Sequence, residues 1–223
     1  VKKRVAVVGG GPTGLYAAWA CAVFGHSVTL FEKDSELGGS FRIAAYPTGK
    51  GQISAAVRAM IVRCEKAGVK VRLNTEAALE SIRSLAPDAV ILATGSLPLL
   101  PSIPGLSDCG YITAQDMLAG KGAVGKKVIV AGGGMIGCET AEYLAERGHH
   151  VAVAEMKSTI AAEIAPENRR YMFESFERNH VFLYPDARIT RFYPDGIEYM
   201  AKDGSLRSVR GYDLSLIHIS DPT

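Results

Sequence analysis

An α/β architecture built on two doubly wound, mostly parallel sheets is what this sequence predicts, and three observations lead there. Residues 5 to 32, "VAVVGGGPTGLYAAWACAVFGHSVTLFE", and residues 128 to 155, "VIVAGGGMIGCETAEYLAERGHHVAVAE", align without a gap at an offset of 123, with twelve identical positions. Each copy runs from a β-rich stretch through a glycine turn and a helical stretch to a second β-rich run ending on glutamate. That order is the signature of a βαβ unit. Between the copies lies "SLPLLPSIPG", residues 96 to 105, whose Pro98, Pro101 and Pro104 read as a linker dividing two halves.

In the first copy Val5 to Val8 form a strand that enters Gly9-x-Gly11-x-x-Gly14; a helix follows to Gly25, then a strand from Val28 to Phe31 closing at Glu32. The second copy repeats this with Val128 to Ala131, Gly132-x-Gly134-x-x-Gly137, a helix to Gly148, and a strand from Val151 to Ala154 closing at Glu155. The residue types suit a dinucleotide. The first glycine permits the tight turn, the second lets backbone approach a pyrophosphate, and the third lets helix pack on strand. The helix N-terminus offers free N–H groups and the positive end of its dipole. Each acid, 23 residues after its first glycine, stands where a carboxylate can accept ribose hydroxyls. Two Rossmann-like dinucleotide sites are therefore expected.

Residues 34 to 51 read as a glycine-rich loop, Gln52 to Ala67 as a helix stopped by Gly68, and Val69 to Leu73 as a strand. "AVILATG", residues 89 to 95, reads as a short buried strand, and its small terminal residues Thr94 and Gly95 permit close approach of a ligand at the carboxyl edge of a sheet. After the second copy Pro166 opens a helix to about Arg178, and Val181 to Tyr184 form a strand. Turn signals at Asp195-Gly196 and Asp203-Gly204 predict an antiparallel meander, as a crossover.

Composition narrows the function classes. The chain is 48% hydrophobic, enough for a buried core, and its 25 basic and 23 acidic residues form no block that marks a nucleic-acid arm. A small-molecule partner is expected, with no nucleic acid and no membrane. Cys21, Cys64, Cys109 and Cys138 contain no C-x-x-C pair, so no zinc site, redox pair or secreted disulfide framework is suggested, which fits a reducing cytoplasm. "VKKR" and the apolar run after it mimic a signal peptide, but Gly9 to Gly11 and Gly14 would break the helix a signal needs. Leu15 to Phe24 is also too short to span a bilayer. His26, His149, His150 and His180 read as surface or capping residues, and Cys138 as a packing residue more than as a nucleophile. Lys33 and Arg42 either meet phosphates or are solvated loop charges.

The stretches "KKRVAVVGGGPTGL", "FEKDSELGGSFRIAAYP", "RCEKAGVKVRLNTE", "DAVILATGSLPLLPSIPG" and "VAGGGMIGCETAEYLAERGHHVAVAEM" resemble the C-terminal flavin and nicotinamide module of NADH:flavin oxidoreductases of the 2,4-dienoyl-CoA reductase, enoate reductase and trimethylamine dehydrogenase family. The resemblance runs over residues 1 to 213. It implies FAD on Gly9, Gly11, Gly14, Glu32, Lys33, Gly39 and Arg42, with Thr94 and Gly95 on the flavin side. It implies a nicotinamide cofactor on Gly132, Gly134, Gly137 and Glu155, in a domain inserted into the FAD domain. Glu155 would repel a 2′-phosphate, which favours NADH; Lys157 keeps NADPH open. The implied reaction is hydride transfer from nicotinamide to flavin, with electrons passing on to FMN and an iron-sulfur cluster in an upstream TIM barrel that reduces enoyl substrates. No residue of this chain is expected to be the substrate's acid or base.

The resemblance divides the chain into residues 1 to 110, a first part of the FAD domain without its C-terminal return, and residues 111 to 213, a truncated NAD(P)H domain. In the family a buried strand ending in Ala-x-Gly would follow "YD". Here "LSLIHIS" follows instead, and resembles translated transposase mosaic-end DNA, so Leu214 to Thr223 is expected to be adapter read-through that happens to alternate like a strand. Truncation at the front and weak flavin retention are expected with it. Two other readings remain: a structural module that holds ADP, as in trimethylamine dehydrogenase, and a free-standing NADH:acceptor flavin reductase. A thioredoxin-reductase type is disfavoured by the missing C-x-x-C.

Overall fold

The computed structural model describes residues 1–217. The chain divides into two compact units, Val1–Ser96 and Leu97–Thr223. The first unit contains, in order, β1 (Arg4–Val8), α1 (Pro12–Val23), β2 (Ser27–Phe31), α2 (Gly39–Ala44), α3 (Gly51–Lys66), β3 (Lys70–Arg72), α4 (Leu79–Ser84) and β4 (Ala89–Leu92). Its strands form a parallel sheet in the order β3-β2-β1-β4. Alternate residues of β1 and β2, Val5, Val7, Val28 and Leu30, project to one face, where Leu15 and Ala18 of α1 and Cys64 of α3 complete a buried core. The βαβ reading of the first copy thus becomes a parallel sheet with α1 and α3 packed on one face.

Two details differ from expectation. Residues 34 to 51 were expected to be loop, yet Gly39–Ala44 form α2. Gly38, at φ +113°, turns the chain sharply enough for one short helix to begin, and six residues are too few to show a periodic apolar pattern. "AVILATG" is a strand only over Ala89–Leu92, and it is not buried: Val90 is 44% and Leu92 73% exposed. β4 pairs with β1 alone, so an apolar run that reads as a central strand lies at an edge.

The second unit contains β5 (Tyr111–Thr113), α5 (Ala114–Leu118), β6 (Lys127–Ala131), α6 (Met135–Ala145), β7 (His150–Ala154), α7 (Pro166–Arg178), β8 (Phe182–Tyr184), β9 (Arg188–Tyr193), β10 (Gly196–Met200), β11 (Leu206–Arg210) and β12 (Leu214–Ile217). A parallel sheet runs β5-β12-β6-β7-β8, and the meander forms its own antiparallel sheet, β11-β10-β9. β6 and β7 are covered on both faces. Val128, Val130, Val151 and Val153 meet Cys138, Leu144 and Phe176 of the helices, while Ile129, Ala131, Ala152 and Ala154 meet Phe192, Ile197 and Tyr199 of the meander. That is why both strands read as unbroken apolar runs. The segment read as a linker is only partly one: Ile103 packs against the core under the meander, and the Phe192 N–H donates to the Pro104 carbonyl at 2.8 Å.

Leu214–Ile217 is a strand lying between β5 and β6, with Leu214 beside Val128 as Ala89 lies beside Val5 in the first unit. The rest of the segment expected to be adapter read-through, residues 218–223, lies outside the described residues. Among the described residues no helix is long and apolar enough to cross a membrane, and no group of three or more His, Cys, Asp or Glu is placed to hold a metal ion.

Candidate nucleotide-binding loops

Both glycine turns are built by the same contacts. Gly9 and Gly132 take φ values of +104° and +108°, and their N–H groups donate to the carbonyls of Phe31 and Ala154 at 2.8 and 2.9 Å. A Cβ on Gly14 would stand 1.8 Å from the Gly9 carbonyl oxygen, and one on Gly137 1.9 Å from that of Gly132. The third glycine therefore brings each helix down onto its own turn. Gly11 and Gly134 are the N-caps of α1 and α6, and neither helix has a side-chain cap. A Cβ on Gly11 would meet nothing within 4 Å, and on Gly134 only the Glu163 carboxylate at 3.7 Å. Open space in front of uncapped helix N–H groups is what a pyrophosphate needs, so the residues fit a dinucleotide.

The two acids are buried, Glu32 6% and Glu155 8% exposed, and each is fastened in the same way. Glu32 Oε2 accepts from the Gly10 N–H at 2.7 Å and Oε1 from the Asp34 N–H at 2.9 Å. Glu155 Oε2 accepts from the Gly133 N–H at 2.7 Å and Oε1 from the Lys157 N–H at 2.8 Å. The opposite side of each middle glycine is held as well: the Gly10 carbonyl accepts from Gly38 N–H at 2.8 Å, and the Gly133 carbonyl from Ala161 N–H at 2.7 Å. A carboxylate has about four lone-pair positions. These backbone donors take two of them on each acid.

These contacts involve residues the motif leaves as "x". Gly10 cannot carry a side chain, because a Cβ would lie 2.8 Å from Glu32 Oε2 and 2.5 Å from Leu37 Cδ2; on Gly133 it would lie 2.8 Å from Glu155 Cβ. The identity of Gly10 and Gly133 in the two copies was the available signal. Gly38 and Ala161 correspond at the same offset of 123 but differ in type, so no sequence signal marked them.

The other expected residues are distributed unevenly. Gly39 lies against the first turn, a Cβ there standing 3.1 Å from Gly11 Cα, and Thr94 Cα would be 3.3 Å from a Cβ on Gly9. Thr94 and Gly95 follow β4 at the same carboxyl edge and are exposed. Arg42 pairs with Glu36 at 2.5 Å and buries its Nε without a partner. It lines a cleft of about 480 Å³ with Ser35, Leu37, Val57, Arg58 and Leu73. Lys33 is exposed. In the second unit a cleft of about 280 Å³ in the corresponding place is lined by Ser158, Thr159, Ile160, Arg169, Phe173 and Leu183, and Lys157 Nζ lies 4.0 Å from Glu163.

Cys138, the residue after Gly137, is fully buried and donates to the Gly133 carbonyl at 3.2 Å. Burial first, and then the charge of Glu155, push its thiol up to about 12. It is a packing residue, and a thiolate nucleophile is not formed there at neutral pH. His26 accepts from the Lys3 N–H through Nδ1 at 3.3 Å, and His149 Nδ1 lies 2.7 Å from the Gly125 carbonyl. These are loop-fastening contacts.

The model of the family described as pyridine nucleotide-disulphide oxidoreductase matches residues 3–219. The chain belongs to this family. An NADH oxidase from Thermoanaerobacter brockii is 40% identical over 220 residues, 97% of this chain and 34% of the relative. A bilirubin reductase from Mediterraneibacter gnavus is 37% identical over 205 residues, 92% of this chain and 32% of the relative. Among solved structures, a 2-naphthoyl-CoA reductase in complex with 2-naphthoyl-CoA superposes with a TM-score of 0.93 at 31% identity, over 99% of this chain and 33% of that one. The chain spans about a third of the length of these relatives. It is a pyridine nucleotide-disulphide oxidoreductase family member without a C-x-x-C pair of its own.

Proposed function

We propose that this chain is the electron-input part of a flavin-dependent oxidoreductase, with FAD on the first glycine loop and NADH on the second. The observation that carries the reading is the duplication of one apparatus: an open, uncapped helix N-terminus beside a buried acid, built twice with matching hydrogen bonds. Gly11 and Gly134 would admit the pyrophosphates, Glu32 and Glu155 would accept from the adenosine riboses, and Gly39, Arg42, Thr94 and Gly95 would border the flavin's nucleotide. The chemistry supplied by the bound groups is hydride transfer from nicotinamide to isoalloxazine. The protein's part is to bind and orient. Glu155, fastened at the strand tip by two backbone N–H groups, stands where it disfavours the 2′-phosphate of NADPH.

The relatives' greater length supports a further partner domain. We infer that electrons leave through an upstream FMN and iron-sulfur barrel that reduces an enoyl-type substrate, consistent with the reductase names of the relatives. The test is rapid mixing of the FAD-loaded chain with NADH or NADPH while flavin absorbance is followed. Bleaching by NADH, slower by NADPH, is the expected result. A chain that binds ADP but neither takes up FAD nor bleaches would favour the structural nucleotide module.

A further inference from the structure

The acids at the strand tips have, in this structure, a task other than the ribose. The middle glycine of each loop is tied at both ends of its residue: its N–H to the acid, and its carbonyl to the N–H of Gly38 or Ala161. The neighbouring cap glycine has room in front of it, a Cβ meeting nothing within 4 Å at Gly11 and only the Glu163 carboxylate at 3.7 Å at Gly134. The second oxygen of each carboxylate takes the N–H two residues beyond the acid, so the group cannot rotate without releasing a buried donor. The same set of bonds appears in both copies although the surrounding residues differ: Asp34 against Lys157, Gly38 against Ala161. Coincidence in one loop is easily imagined. Recurrence at the same offset in two units points to a requirement.

We propose that Glu32 and Glu155 are positioning residues for the phosphate loops, each carboxylate holding the amide of Gly10 or Gly133 so that the loop has its binding shape before a nucleotide arrives. This rests on the reading that the loops bind nucleotides. An amide cannot replace the carboxylate, because glutamine offers one acceptor oxygen and its NH₂ would face a backbone N–H.

The experiment compares the full chain with Glu155→Gln and Glu32→Gln, using ADP and 2′,3′-dideoxy-ADP as probes. The dideoxy probe has no hydroxyls for a ribose contact. Loss of loop shape is expected to weaken both probes about tenfold at the altered loop, the effect of one buried donor left unpaired. Amide exchange in the ligand-free chain is expected to quicken at Gly133 or Gly10 while β6 or β1 stays protected. Unchanged affinity for the dideoxy probe in the folded variants would overturn the proposal and leave the acids a ribose role alone. A role only in global stability would lower the melting temperature without changing that affinity, and would overturn it too. Should the glutamine variants not fold, Gly133→Ala keeps the carboxylate but pushes it away through a Cβ 2.8 Å from Glu155 Cβ, and the same loss is expected. If the unaltered chain binds neither probe, the nucleotide reading fails, and the exchange of Gly10 and Gly133 still decides whether the acids hold the loops.

Discussion

The tightest constraints fall on single residues whose side chains are absent or silent. Gly14 and Gly137 each face a carbonyl oxygen at less than 2 Å from where a Cβ would be, so alanine must push helix from turn. Gly14→Ala and Gly137→Ala are each expected to cost about 1–3 kcal/mol, the range for overpacking, as read from urea unfolding midpoints. Cys138, with its thiol near 12, carries almost no thiolate at pH 8. Iodoacetamide at that pH is expected to leave Cys138 unmodified until the chain is unfolded, as peptide mass mapping would show. The glycine spacing and the two acids were legible in the sequence because backbone geometry permits few residue types there. What was illegible was the direction in which Glu32 and Glu155 point, since their partners Gly10 and Gly133 lie in turns that follow other strands, β1 and β6, and are brought to them only by the fold. Lys33 is exposed, and neither its type nor its position decides between a phosphate contact and a solvated charge.

At the level of helices and strands, the correspondence between the units continues past the motif. α3 runs into Gly68 at φ +74° and α7 into His180 at φ +54°; the next N–H in each returns to the helix, Val69 to Cys64 at 3.0 Å and Val181 to Phe176 at 2.9 Å. Where the first copy has glycine, the second holds a histidine in a left-handed conformation. His180→Gly is therefore expected to stabilise the chain by about 0.5–1 kcal/mol in thermal unfolding. α6 carries a second conflict. Burial raises the Glu142 carboxyl above its ordinary value, with Glu146 and Glu139 adding to the rise and a hydrogen bond with Ser175 opposing it. Such a group binds more protons folded than unfolded, so its favourable contribution is complete below about pH 4.3 and is lost as pH rises through the folded value. Glu142→Gln should keep the Ser175 contact and flatten this decline, which urea midpoints at pH 4 and pH 7 would reveal. Long periodic elements such as α3 and α7 were legible from apolar spacing and their stop signals. α2, α4 and α5, at five or six residues, were too short to show a period, and the exposure of β4 depended on how many neighbours the sheet gave it.

For the whole chain, two units with separate cores imply separate responses to ligands. A nucleotide at a hundred times its Kd stabilises the unit that binds it by about 2.7 kcal/mol. Calorimetry is expected to show FAD raising the transition of Val1–Ser96 and NADH that of the unit from Leu97, and Glu155→Gln is expected to reduce only the second effect, to about half if binding weakens about tenfold. The duplication itself was plain in the sequence, whereas the contacts of Ile103 and Pro104 with the meander were hidden by prolines that read as a linker. Two copies of one βαβ pattern also pose a hazard during synthesis, since β1 and β6 are near-equivalent templates for the same neighbours. The contiguity of the first unit removes much of it. Ser96 is synthesised before β6 begins at Lys127, about 30 residues later, which at roughly 5–20 residues per second gives β1 to β4 some 1.5–6 s to pair ahead of their rival. Chain order here acts as a chaperone, separating in time two segments that could otherwise exchange partners.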